Sequence, residues 1–131
     1  MNTKAKGTNA ERELLHMFWR QKWACLRSAG SGSMKYPGPD LLVGNRGKNR
    51  RMAIECKTTK NSKIYLDEHD VKQLEEFSDI FDARPWFAVK FSRIDWLFLN
   101  IEDIKRTQKG YVIDMKMAQL RGISFDELIS Y

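Results

Sequence analysis

The stretch PDLLVGNRGKNRRMAIECK, residues 39–57, decides how this chain is read. Two apolar runs flank a basic turn containing Gly47, the pattern of a β-hairpin. Yet Asp40, Glu55 and Lys57 sit inside those runs. Charged residues are depleted from strand interiors, so their placement needs a cause. Strand side chains alternate between faces. Ala53, Glu55 and Lys57 therefore share one face, and Met52, Ile54 and Cys56 share the other. A hairpin folded symmetrically about Gly47 and Lys48 pairs residues whose numbers sum to 95, which sets Asp40 opposite Glu55. Cross-strand partners have Cβ atoms roughly 4.5–5.5 Å apart, and like charges at that separation repel unless a cation lies between them.

Two opposed carboxylates form a hard oxygen site. Mg²⁺, or Mn²⁺ as a substitute, is held by one or two carboxylates together with water and substrate phosphate oxygens. An ion so placed activates water and neutralises charge building on a phosphodiester. Lys57, on the face of Glu55, is positioned to orient the nucleophile or stabilise developing negative charge. A helix is expected through AERELLHMFWRQK, residues 10–22, with Asn9 as its N-cap. Leu14, Leu15 and Phe18 follow Glu11 at spacings of three, four and seven. That periodicity puts Glu11 on the buried face. If this helix packs on the acidic side of the sheet, Glu11 becomes a third carboxylate of the site. The competing structural reading is a surface salt-bridge lattice, with Lys57 pairing with Asp40 and Glu55 on a solvated sheet face.

The rest of the chain favours the site. Its 131 residues suit one domain, 1–131, with a hydrophobic core. The net charge is +6, but residues 1–60 carry +9 and residues 61–131 carry −3. A basic half of this kind is the footprint of a polyanion-binding surface, which makes nucleic acid the natural partner. Only Glu11, Glu13, Asp40 and Glu55 are acidic in that half. No window is apolar for long enough to cross a bilayer and the start has no signal-peptide pattern, so no membrane role and a cytoplasmic location are expected. Cys25 and Cys56 read as free thiols in apolar runs. No spacing of Cys and His suggests a zinc site, and His16 and His69 are isolated.

Further elements follow from pattern. WACLRSA, residues 23–29, reads as a first strand and GSGSMKYPG, residues 30–38, as a loop. The hairpin strands fall near 39–44 and 51–58. LDEHDVKQLEEFSDIF, residues 66–81, reads as an amphipathic helix with Asp67 as N-cap and a stripe of Val71, Leu74, Phe77 and Phe81. Pro85 ends that region. WFAVKF and WLFLN read as two more strands, KGYVIDM as a short strand, and SFDELIS as a helical turn from Ser124. The order predicts an α/β domain with a mixed sheet, in which the strands on either side of the second helix pair in parallel through a crossover. The aromatic segment 86–98 offers either core or an interface.

These residues resemble the PD-(D/E)-x-K nuclease superfamily, through PD at 39–40 and ECK at 55–57. The chain is similar, more closely, to the archaeal Holliday junction resolvases. GTNAERELL, RSAGSGS, the motif hairpin, and PWFAVKF followed by Trp96 carry that resemblance over most of residues 7–98. It implies a restriction-endonuclease-like fold, with helices flanking a mixed central sheet. It also implies a homodimer that nicks four-way junction DNA. Residue by residue it makes Asp40 and Glu55 metal-binding acids, Lys57 the catalytic lysine, and Glu11 and Arg12 the family's helix-one pair. It makes Arg27 the arginine of RSAGS, and adds the Cys56 carbonyl as a metal ligand. Ser31 and Ser33 compete for the role of a functional serine. Phosphate contacts are expected from Lys4, Lys6, Arg12, Arg27, Ser33, Lys35, Arg46, Lys48 and Arg50. Two other functions fit the same features: a related nuclease cutting duplex ends or flaps, and a non-catalytic nucleic-acid-binding module.

Overall fold

The structure, a computed structural model, describes residues 3–28 and 36–131, with side chains from Gly7 onward. Ser31, Ser33 and Lys35 lie outside the described residues, and of Lys4 and Lys6 only the helical backbone is described.

A five-stranded mixed sheet organises the fold. It uses β1 (Ala24–Arg27), β2 (Leu41–Asn45), β3 (Arg50–Thr59), β5 (Arg84–Phe91) and β6 (Leu97–Leu99), in the order β1-β2-β3-β5-β6. All neighbours are antiparallel except β3 and β5, which run parallel from Met52↔Arg84 to Thr59↔Phe91. The expected crossover joins them, and it holds more than a helix. β4 (Lys63–Asp67) precedes α2 (Glu68–Phe81) and pairs outside the main sheet with β8 (Gly110–Asp114). With β7 (Lys105–Arg106) these strands form a second, three-stranded sheet in the order β4-β8-β7.

Helix α1 (Thr3–Arg20) packs on one face of the main sheet and α2 on the other. β5 alternates between two cores. Trp86 and Ala88 join Leu14, Phe18, Met52 and Ile54 on the α1 side. Phe87, Val89 and Phe91 join Ala53, Val71 and Leu74 on the α2 side. A central strand covered on both faces reads as a continuous apolar run. This explains the aromatic segment 86–98: Trp86, Phe87, Phe91, Trp96 and Phe98 are each 3 % exposed or less and form core. Of the two readings open for that segment, core holds.

Other expectations also need correction. α1 begins at Thr3, so Asn9 lies inside the helix with its side chain exposed and does not cap it. Residues 4–20 contain no proline, and Ala, Lys, Glu and Leu sustain the helix past Gly7, where a side chain would meet open space. Pro85 stands within β5, opposite Ala53, and does not end the region. The tail completes the fold with α3 (Met115–Arg121) and α4 (Phe125–Ile129). α4 starts at Ser124 in a capping box with Glu127. Its Phe125 meets Phe18 edge to face at 5.0 Å, and Leu128 is fully buried in the α1-side core. Cys25 and Cys56 are both free, as expected.

Candidate active site

The hairpin register is the expected one. Leu41 faces Ile54, Leu42 faces Ala53 and Asn45 faces Arg50. Regular pairing stops one residue short of Asp40 and Glu55, and side-chain bonds continue it. The Asp40 carboxylate accepts from the Cys56 backbone N–H at 2.8 Å. The Asp40 carbonyl accepts from the Ser28 N–H at 2.9 Å, which ties the entrance of β2 to the end of β1. Asp40 is buried. Its carboxyl hydrogen-bonds to that of Glu55, and Lys57 Nζ stands 3.8 Å from Glu55 Oε2.

Two acids in such contact cannot both be ionised without cost. Burial, and next the charge of Asp40, push the Glu55 carboxyl up to about 8 from its ordinary 4.5. Burial raises Asp40 as well, opposed by the Cys56 N–H, by Lys57 and by the bond to Glu55. That shared bond lowers Asp40 and raises Glu55, so the proton belongs to Glu55, which donates to Asp40. A hard, oxygen-only pair, short of positive charge and clamped in place, is a donor set that suits a divalent cation. Among the described residues no group of three or more His, Cys, Asp and Glu stands together in a metal-ligating arrangement.

Glu11 accounts for that number. α1 packs against Met52, Ile54 and Cys56, the face opposite Glu55 and Lys57, so the expected packing on the acidic side does not occur. Glu11 instead pairs with Arg27 at 3.2 Å, both side chains mostly buried. It remains within the field of the site: burial first, then the charge of Asp40, raise its carboxyl, while Arg27 and Lys57 lower it. Burial raises the Cys56 thiol, with the charges of Asp40, Glu11 and Glu55 adding to the effect. The Cys56 contact to the acids is its backbone N–H.

Sequence reasoning missed Asp70. It stands in the first turn of α2, half-buried, and its charge raises both Asp40 and Glu55. The signal was present: Leu74 and Phe77 follow Asp70 at spacings of four and seven, the periodicity that singled out Glu11.

The basic residues divide. Arg12 is exposed beside Glu11 on α1. Arg46 and Lys48 are exposed in the hairpin turn. That turn is five residues from the acids along each strand, or roughly 17 Å at 3.3 Å per residue, so it does not flank them. Arg50 is not a free cation. Its guanidinium donates to the Leu128 carbonyl and, at 2.7 Å, to the Tyr131 carbonyl. It also stands over the rings of Tyr131 and Trp23, at 4.2 and 5.3 Å from their centroids. These contacts replace the phosphate contact expected of it.

The sequence matches the family model described as archaeal Holliday junction resolvase (hjc) over residues 2–131. It is 37 % identical over 131 residues to the crossover junction endodeoxyribonuclease Hjc of Archaeoglobus fulgidus, covering 95 % of each chain. It is 36 % identical over 124 residues to the protein of the same name from Methanocaldococcus jannaschii, covering 95 % of this chain and 86 % of the relative. The fold superimposes on the crystal structure of Archaeoglobus fulgidus Hjc, a Holliday junction resolvase, with a TM-score of 0.85 at 35 % identity over 93 % of this chain and 98 % of that one. A hairpin that sets a proton-sharing acid pair beside a lysine, on a mixed sheet of this topology, is thus read within a lineage: the chain belongs to the archaeal Holliday junction resolvase family.

Proposed function

We propose that Asp40, Glu55 and Lys57 are the centre with which this chain, an endodeoxyribonuclease of its family, hydrolyses phosphodiesters of four-way DNA junctions with the aid of Mg²⁺. One observation carries the reading: the hairpin register brings two buried carboxyls into a shared hydrogen bond next to an ammonium group. Asp40 and Glu55 would hold the ion, with the carbonyl of Cys56, the residue after Glu55, as a further ligand. When bound, Mg²⁺ supplies an activated water and neutralises charge on the phosphate. Asp40 is fixed for this task by the Cys56 and Ser28 N–H groups and needs little rearrangement. Glu55 must release its proton before it can serve as a ligand. Lys57 orients the attacking water or steadies the charge on the phosphate oxygens. Glu11 holds Arg27 at the rim, where that arginine and Arg12 meet the DNA backbone. Ser31 or Ser33, with Lys4, Lys6 and Lys35, would add contacts.

The chain would act as one domain, in the cytoplasm, and as a homodimer with two centres, since a two-fold protein suits a junction of near two-fold symmetry. With 86–98 buried, the second copy would dock at the outer face of α2. There Tyr36, Pro37, Phe77, Ile80 and Phe81 line a groove of about 360 Å³, with Ile80 81 % exposed and Phe77 stacked on Phe81 at 5.4 Å. An apolar face of this kind on an otherwise polar surface marks an interface. Sedimentation of Ile80→Glu/Phe81→Glu should find monomers; a dimer unchanged by both substitutions would remove this face from the proposal.

Cleavage of a four-way junction, a linear duplex and a flap, each with and without Mg²⁺, tests the whole. The junction should be cut preferentially and only with the ion. Equal cutting of all three would favour a general nuclease of the superfamily, and normal cutting by both Asp40→Asn and Glu55→Gln would dissociate the acids from the chemistry.

A further inference from the structure

The small sheet β4-β8-β7 has an inner face that belongs to the α2-side core, through Ile64, Leu66, Ile113 and Tyr111. Among the described residues its outer face is exposed around one buried residue, Val112, which is 8 % exposed. Alternation puts Lys63, Tyr65 and Asp67 there, and the register runs a row straight across it: Tyr65↔Val112↔Lys105. Tyr65 is 73 % exposed and its hydroxyl makes no hydrogen bond among the described residues. Lys63 and Lys105 are exposed, as are Lys60 and Lys109 at the adjoining turns, and none of the four is in an ion pair among the described residues. The acids of this face are Asp67 and Asp114. The Asp114 carboxylate is engaged by the Met117 N–H at 2.7 Å, and Asp67 stands at the end where α2 begins. The neighbouring Glu68 is engaged by Lys72 and Arg106.

The chain links this face to the candidate site at both ends. β3 carries Glu55 and Lys57 and passes into β4 through residues 60–62. β4 then enters α2, whose Asp70 acts on both carboxyls of the pair. Tyr65 and Lys105 stand two strand spacings apart, roughly 10 Å, a span over which a lysine and a phenol both reach one sugar-phosphate backbone. We propose that the outer face of this small sheet is a second DNA-contacting surface, which grips the backbone of a junction arm beyond the cutting site through Lys63, Tyr65 and Lys105. It rests on the proposed function and extends it to the substrate's arms. An arm contact of this type is blind to sequence and salt-dependent.

The test uses the full chain in an Asp40→Asn background, so that binding is read without cutting. Lys63→Ala/Tyr65→Ala/Lys105→Ala is compared with the unsubstituted surface, by fluorescence anisotropy, on a long-armed junction and on one whose arms are trimmed close to the crossover. The expected result is about tenfold weaker binding to the long-armed junction, a log–log salt slope smaller by about two, near 0.9 per lost phosphate contact, and no change on the trimmed junction. Lys105→Glu alone should weaken long-arm binding in the same direction, and unchanged melting of each variant checks folding. Unaltered affinity and slope, as a protein-docking face would give, overturn the inference, and so does an equal loss on both junctions. Either result leaves the cutting centre standing, because that reading is tested by cleavage and not by the affinity of this surface.

Discussion

The two ends of the motif hairpin treat charge in opposite ways. At one end Arg50 is fully answered: two carbonyls accept from its guanidinium and two aromatic rings flank it. At the other, Asp40 and the partly buried Glu55 are pressed together and, among the described residues, relieved by one backbone N–H, a lysine at 3.8 Å and a shared proton. The strands are the same and the residues five apart. A charge whose partners are all in the chain holds the fold, whereas a pair left short of countercharge is held for something that arrives.

Asp40→Asn should break this contrast most. Cutting should fall by at least about a thousandfold, because a carboxylate of the pair is lost. Above about pH 8, where Glu55 has given up its proton, the melting temperature without divalent ions should rise, because the repulsion is lost as well. Junction-cleavage assays and thermal melts check the two halves, and a variant less stable than its parent would show that the acids were satisfied after all.

The next effect is in pH. Glu55 binds its proton more tightly folded than unfolded, so its contribution to stability is present below about 4.5 and lost as pH rises through about 8. Without divalent ions the protein should lose of order 3–5 kcal/mol across that window. Glu55→Gln should flatten the curve, and Mg²⁺ should restore stability increasingly toward high pH. Denaturant melts from pH 5 to 9 measure all three, and a stability that rises over that range would reverse the assignment of the proton.

Arg50→Ala sharpens the other side. It removes two hydrogen bonds and two ring contacts, and should cost about 2–3 kcal/mol while the folded protein cuts normally. A specific loss of junction affinity with unchanged stability would return Arg50 to the phosphate contacts. The smallest effect is expected from Arg46→Ala, on the exposed turn: affinity reduced less than about tenfold at low salt, with the salt slope smaller by about 0.9.

How much of this was legible depended on distance along the chain. The hairpin register came from the turn alone, because a two-stranded ladder is fixed by its loop. The stripe of α2 came from its period. The side of the sheet on which α1 packs did not: periodicity shows which face of a helix is buried, not what buries it. So Glu11 was rightly placed as inward, and it comes within reach of the charges of Asp40 and Lys57 from a helix packed on the other face of the sheet. β4 alternates cleanly through Lys63, Ile64, Tyr65, Leu66 and Asp67, yet its last residues double as the entry to α2 and the helix pattern absorbed them. The aromatics of 86–98 left core and interface both open because nothing local reveals that β5 is central, with a core on each face. Arg50 looked like one basic residue among several, since its partners lie 78 and 81 residues away.

That separation bears on how the molecule is made. The hairpin leaves the ribosome early, and the residues that close over Arg50 and Phe18 follow 78 and 107 positions later. At about 5–20 residues per second, the nascent chain carries its Arg50 guanidinium unmet for roughly 4–16 s and its Trp23–Phe18 corner open for roughly 5–21 s. During that interval the basic turn and an uncovered aromatic surface lie together, a combination that binds nucleic acid and other nascent chains without discrimination. Synthesis of residues 124–131 meets Arg50 and covers the aromatic corner, and leaves Arg46 and Lys48 exposed.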